Sequence, residues 1–228
     1  MTQVVSESHP FVTKQRARLA EATRHLIDAV LTVEDATEEQ LGTAADMAEA
    51  ASSHLGRVPQ PDDSQRGVRS RGEDGHTDYL VRSPLVGEMS PLAPPVRWEL
   101  VDGRIVGHGI YHAAYEGPPG YVHGGWIALS FDEFLGMANI ASGHPGMTGT
   151  LKIRYLRPTP LYQRVDIEGW TERVEGRRIM AKGRMTVNGE VTAVAEGLFV
   201  TIDEAMAAEY FGRTTGEAAP AGVPAEDL

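Results

Sequence analysis

Two groups of residues in this chain are of the types that do chemistry. The first is Asp132, a carboxylate set in an apolar run that reaches about Ile140. An ionised acid among apolar side chains is costly unless it is paired or used. A used one activates water as a general base or acts as a nucleophile. The second group is His123-Gly124-Gly125, at the head of the same run. Glycines there leave backbone N–H groups open at a helix start, where the dipole favours negative charge. The Gly125 N–H, with Gly124 beside it, is therefore a candidate oxyanion donor. Plainer readings stand beside these. Asp132 can be a structural acid satisfied by backbone or an Arg, the glycines can serve only a tight turn, and His123 can be a packing histidine bonded to backbone. Glu133 points about 100° away from Asp132 around a helix, so only one of the two acids faces a given site.

Spacing adds a constraint. Gly125 and Asp132 are seven residues apart, about 10 Å along a helix at 1.5 Å per residue. One carbonyl cannot lie within hydrogen-bond reach of both. If both act on it, they come from different chains, and a two-fold pair of antiparallel helices brings the two ends together. The expectation is a homodimer with two shared sites.

The elements that must position these groups follow from pattern. Glu116-Gly117-Pro118-Pro119-Gly120 is too rich in Gly and Pro to be helical. After it comes a helix of about 124–142, apolar all round and so expected to be buried, ended by Gly143. Strands are expected near 96–101 and 104–112, joined at Asp102-Gly103, and near 148–156, 163–175, 177–187 and 191–202, with turns at Glu175-Gly176 and Asn188-Gly189. The order is two strands, one long helix and a four-strand meander. Physically this is an α+β fold in which an antiparallel sheet curls around one central helix.

Ahead of this, 1–56 reads as a helical extension. One helix spans 10–32, with Val12, Leu19, Leu26, Ile27 and Val30 near helical spacing, and a second spans about 37–54, with Thr32 or Thr37 as its cap. Residues 57–95 read as a polar linker followed by a Pro-rich segment that wraps over the surface of a 96–211 domain. Asp203 can cap a short helix at 204–211, and 212–228 reads as a disordered acidic tail.

His123-Gly124-Gly125, the acid nine residues after the His, and then Met147-Thr148-Gly149-Thr150-Leu151-Lys152-Ile153-Arg154-Tyr155-Leu156-Arg157-Pro158 together resemble the hotdog-fold acyl-CoA thioesterases. The similarity is to the branch holding the phenylacetate-pathway and THEM-like enzymes, and it covers roughly 96–202. The resemblance implies the hotdog fold, hydrolysis of an acyl-CoA thioester, Asp132 as base or nucleophile, the Gly125 amide on the carbonyl, and Thr148 positioning water or the acid. It implies no resident cofactor, since coenzyme A is part of the substrate, and assembly as a dimer or dimer of dimers. Lys152, Arg154 and Arg157 are candidates for the coenzyme A phosphates, with Arg177 and Arg178 as competitors; a solvated face is the plainer reading of each. Some similar enzymes carry an Asn where this chain has Gly117, which leaves a second carbonyl donor unassigned. Hydratases and dehydratases share the fold but use an Asp/His pattern absent from this helix. A non-catalytic acyl-CoA-binding or regulatory protein is the alternative reading.

Composition narrows the classes further. The net charge is −11, and the acidity lies in the flanks: residues 96–202 carry 11 basic and 11 acidic side chains, so this region does not repel a polyanion. Nothing is basic enough to suggest nucleic-acid binding. With no cysteine, disulfides, thiolate zinc sites and a Cys nucleophile are excluded together. His108 and His112 share an expected strand with no third ligand nearby, which does not make a metal site. No run is long enough for a membrane span. The first residues lack a basic-then-apolar leader, and the expected location is cytoplasmic.

Overall fold

The computed structural model describes residues 13–56 and 77–201. The expected polar linker, the 204–211 helix and the acidic tail lie outside those residues. Within them the order is α1 (Lys14–Thr32), α2 (Glu38–Leu55), α3 (Thr77–Arg82), β1 (Arg97–Val101), β2 (Arg104–Ile110), a 3-10 turn (Ala113–Tyr115), α4 (Gly124–Ala141), β3 (Met147–Tyr155), β4 (Arg164–Glu175), β5 (Arg178–Val187) and β6 (Glu190–Val200).

One antiparallel six-stranded sheet runs β1-β2-β4-β5-β6-β3, and α4 packs on its inner face against β2 to β6. The arrangement is the expected helix in a curled sheet. The expected four-strand meander is corrected: only β4, β5 and β6 follow one another, while β3 lies beyond β6 at the sheet edge. The reason is in the connection. Residues 156–163 carry Pro158 and Pro160, too long and too stiff for a two-residue hairpin. By contrast, Asp102-Gly103 and Asn188-Gly189 hold positive φ at both residues (49° and 77°, 52° and 81°), the twist-matched geometry that closes tight hairpins.

The core is built by α4 pressing Phe131, Phe134 and Leu135, all fully buried, into the sheet. Each such side chain contributes about 1.5–3 kcal/mol. Their close approach depends on an inner sheet surface that lacks bulk. Gly169 and Gly183 are register partners on β4 and β5. A Cβ on Gly169 would stand 2.9 Å from the Phe134 carbonyl oxygen, and one on Gly183 would stand 3.1 Å from Phe131 Cδ1.

The Pro-rich segment differs from expectation. It opens with α3, and Val81, Leu85, Val86 and Ala93 are buried, Leu85 completely. Leu85 and Val86 join the same apolar cluster as α4, so this segment supplies core as well as cover. The backbone there is held by Ser83, whose hydroxyl accepts the N–H groups of Leu85 and Val86. In the extension, Thr37 rather than Thr32 caps α2, in a full capping box with Gln40. The stripe of Leu19, Leu26 and Val30 that suggested α1 is exposed; the buried residue of α1 is Ala20.

Candidate active site

Local sequence makes the start of α4 a densely hydrogen-bonded corner of backbone. Tyr121 N–H donates to the Pro118 carbonyl, and Gly120, at φ 82°, turns the chain. The Glu116 carboxylate accepts the Gly120 N–H at 2.6 Å. His123 then enters as the N-cap of α4, its own N–H donating to the Tyr115 carbonyl at 2.8 Å. Its Nδ1 accepts the Gly125 N–H at 2.9 Å. An accepting Nδ1 carries no proton, so in the neutral ring the proton sits on Nε2. Of the two readings of His123, the ring does bond to backbone, but as an exposed cap rather than a packed core residue.

This cap changes the account of the two glycine amides. Gly125 N–H, expected to be open, is taken by His123. Among the described residues no acceptor meets the Gly124 N–H, and the Gly124 carbonyl is held by the Tyr155 hydroxyl, which donates at 3.0 Å. Tyr155 is a contributor the sequence reading missed; there it is only one residue of the Met147–Pro158 stretch. Gly117, the position where an Asn was noted in similar enzymes, backs directly onto this corner. A Cβ at 117 would lie 2.7 Å from His123 Cα, so no side chain fits there without moving the cap.

The two neighbouring acids on α4 reverse the expected burial. Glu133 is the buried one, at 6% exposure. Asp132 is half-buried and lies on the open side of the helix with Gly125, Leu129 and Gly136. The correction has a physical cause: the sheet covers the stripe of Ile127, Phe131, Phe134, Leu135 and Ala138, and Asp132 lies outside it. Across the opening stands β3, whose Thr148 hydroxyl donates to Asp132 Oδ1 at 2.7 Å. A register irregularity between Thr148 and Thr150 marks this place on β3, as bulges often do where a strand re-aims a side chain. The structure thus joins Asp132 to Thr148, and joins His123 to Gly124 and Gly125, but leaves the two groups apart on one helix.

The cations are not gathered at either group. Leu151 and Ile153 pack on the core and Tyr155 reaches Gly124, so strand alternation turns Lys152 and Arg154 to the other face of the sheet. Arg157 lies 3.7 Å from Glu190 and donates to the Val191 carbonyl. Arg177 holds the Thr201 carbonyl. His112 faces Asp28 at 3.4 Å. His108 lines an open hollow of about 490 Å³ on the outer sheet face, which shares no residue with the Asp132–Thr148 pair. Among the described residues no three His, Asp or Glu side chains cluster as a metal site requires, and no helix is long and apolar enough to cross a membrane.

Against known proteins, residues 119–194 match the family described as the Thioesterase superfamily, a span that includes His123, Asp132 and Thr148. A solved thioesterase superfamily protein is 34% identical, with a TM-score of 0.68 over 81% of this chain and 90% of that one. Curated relatives include the acyl-coenzyme A thioesterase THEM4 of Mus musculus, 34% identical over 90 residues (39% of each chain), and that of Xenopus laevis, 39% identical over 64 residues (28% of this chain, 29% of the other). The chain spans well under half the length of these curated relatives. The chain belongs to the thioesterase superfamily, and its helix wrapped by an antiparallel sheet is the hotdog fold.

Proposed function

We propose that this protein hydrolyses an acyl-CoA thioester to the free acid and coenzyme A. The observation that carries the reading is the Thr148–Asp132 hydrogen bond of 2.7 Å on the open side of α4. A carboxylate held in one orientation and still reachable by solvent suits a base or nucleophile better than a structural acid. The names of the THEM4 relatives supply the substrate class.

In the general-base form, Asp132 takes a proton from water as the water oxygen bonds to the thioester carbon. The tetrahedral intermediate then expels the coenzyme A sulfur, which leaves as thiolate or takes up a proton. In the nucleophilic form, an Asp132 oxygen bonds to the thioester carbon, the C–S bond breaks to release coenzyme A thiolate, and water hydrolyses the resulting mixed anhydride to restore the carboxylate and free the acid. Helix-start amides receive the developing oxyanion. Gly124 N–H is the donor best placed to do so, since Gly125 N–H must first leave His123. The His123 Nε2–H is a further exposed donor at the same corner.

The two groups serve one carbonyl only if two chains contribute. Supporting this, among the described residues β3 is an edge strand with no partner on its outer side, beside the open side of α4, and Met147, Tyr155, Leu156 and Ile140 are exposed around it. An edge of that kind is normally covered. A second copy, placed by a two-fold axis, covers it and brings one chain's Gly124 to the other's Asp132.

A thiol-release assay over a panel of acyl-CoAs tests the activity, and Asp132→Asn should lose roughly 10²-fold or more. Near-normal turnover by this variant sinks the assignment, and tight binding without turnover by the wild type favours the regulatory alternative. Mixing tests the sharing. Gly124→Pro removes the amide at the first helical position, where Pro is tolerated. Exchanged with Asp132→Asn chains, it leaves about half the dimers mixed, each with one intact site, so activity returns to roughly a quarter of wild type per chain. Confirmed exchange with no recovery refutes sharing.

A further inference from the structure

The helical extension reaches the corner that holds His123. The inward side of α1 carries Ala20, Arg24, Ile27 and Asp28, and α1 packs chiefly on the 3-10 turn Ala113–Tyr115. Two polar anchors fix it. Arg24 Nη1 donates to the Ser90 carbonyl at 2.9 Å. Asp28 Oδ1 accepts the Ala113 N–H at 3.1 Å, and its Oδ2 lies 3.4 Å from His112 Nδ1.

What the second anchor holds matters more than that it holds. Ala113 is the first residue of the turn, and an N–H there has no acceptor within the turn itself. Asp28 supplies that acceptor from 85 residues away. Two residues on, the Tyr115 carbonyl accepts the His123 N–H at 2.8 Å. The Tyr115 ring meets Trp126, in the first turn of α4, edge-on at 4.9 Å between centroids. Both the backbone and the ring of Tyr115 therefore set the first turn of α4. The carboxylate is 28% exposed and His112 40%, so this is a joint at the boundary of extension and domain rather than a core contact. The 34%-identical solved relative aligns over 81% of the chain, more than the residues from 97 to 200 can supply; the flanks of the sheet are part of the shared fold.

We propose that Asp28 is a positioning residue for the helix-start amides: through Ala113 and Tyr115 it fixes His123, and with it the first turn that holds the Gly125 N–H on the His123 ring and presents the Gly124 N–H to the substrate carbonyl. This rests on the reading that those amides receive the oxyanion. Amides set slightly out of line lose more in the transition state than in the bound ground state, so the effect falls on kcat rather than KM.

The experiment uses the full chain and thiol release from an acyl-CoA that the wild type turns over. Asp28→Ala should lower kcat roughly tenfold, less than outright deletion of an oxyanion donor, with KM changed less than about twofold. Asp28→Asn retains the Oδ1 acceptor and should recover most of kcat. Arg24→Ala removes the other anchor, the bond to the Ser90 carbonyl, while keeping the Asp28–Ala113 bond, and should leave kcat within about twofold. If Asp28→Ala keeps wild-type kcat, or if Arg24→Ala loses as much as Asp28→Ala, the proposal is overturned, the second outcome assigning the effect to docking of α1 as a whole. A measurement on the wild type stands apart from any variant: the Ala113 amide must be protected from hydrogen exchange, and free exchange there removes the bond on which the proposal stands. A wild type without turnover on any acyl-CoA refutes the proposed function instead, so the two failures are distinguishable.

Discussion

Thr148→Val isolates one atom of the proposed machinery. Val keeps the branched Cβ that suits a strand and removes the hydroxyl that donates to Asp132 Oδ1 at 2.7 Å. A hydrogen bond to a charged acceptor contributes about 1.5–3 kcal/mol when shielded. Thr148 is exposed and Asp132 half-buried in the single chain, so about 1–2 kcal/mol is the fitting range. If the bond orients the carboxylate for the chemical step, that range corresponds to a fall in kcat of roughly fivefold to thirtyfold. The loss of stability should be no more than the bond itself contributes, about 1–2 kcal/mol, so that the protein stays folded under assay conditions. Steady-state thiol release and a thermal melt on the same preparations give both numbers. Thr148→Ser, which restores the donor, should recover most of the loss. A Thr148→Val protein with kcat within twofold of wild type would falsify the orienting role. A Ser variant as slow as Val would show that packing of the methyl group, not the hydroxyl, is what counts.

Two further outcomes are expected. Gly117→Ala places a Cβ where only 2.7 Å separates it from His123 Cα; the cap must shift, and kcat should fall by about tenfold with a modest loss of stability, an unchanged kcat showing that the corner is tolerant. Tyr111 and Tyr115 each have a phenol pKa pushed from 10 up to about 12, chiefly by burial. The unfolded phenols ionise first, so stability is whole below pH 10 and is lost as pH rises from 10 to about 12. Tyr111→Phe should remove a share of that loss of up to ~3 kcal/mol, and an unaltered alkaline melting profile would show that Tyr111 does not drive it.

The elements of the sheet were legible because their signals are local. Asp102-Gly103 and Asn188-Gly189 need only their own φ preferences to close a hairpin. Thr37 and Gln40 need only each other to cap α2. The connection between β3 and β4 was not legible, since alternation within a strand does not say which neighbour it pairs with. The same limit hid Leu85. Four prolines nearby signalled irregular backbone, and irregular backbone can still bury a side chain completely.

The docking face of α1 was not legible for a related reason. Periodicity locates a helix through its Leu and Val residues, yet here those residues face out. The helix binds through Ala20 and through two charged side chains whose partners are backbone groups. Nothing in the sequence of a carboxylate names a main-chain amide 85 positions away.

Asp132 and Glu133 show why a site can be half legible. On a helix apolar nearly all round, the sequence places two acids about 100° apart and offers no local reason to choose which one the fold buries. The fold buries Glu133 and leaves Asp132 half-buried, bonded to Thr148 of the edge strand β3. An acid at 132 can be oriented by Thr148 and still meet water, whereas Glu133, at 6% exposure, meets little of it. Under the shared-site reading the remaining shielding of Asp132 comes from the second chain's helix start, so the environment that tunes the acid forms only on association. Dilution below the dimer dissociation constant should then lower specific activity in step with the loss of dimer mass, whereas a site complete within one chain would hold its specific activity through the same dilution.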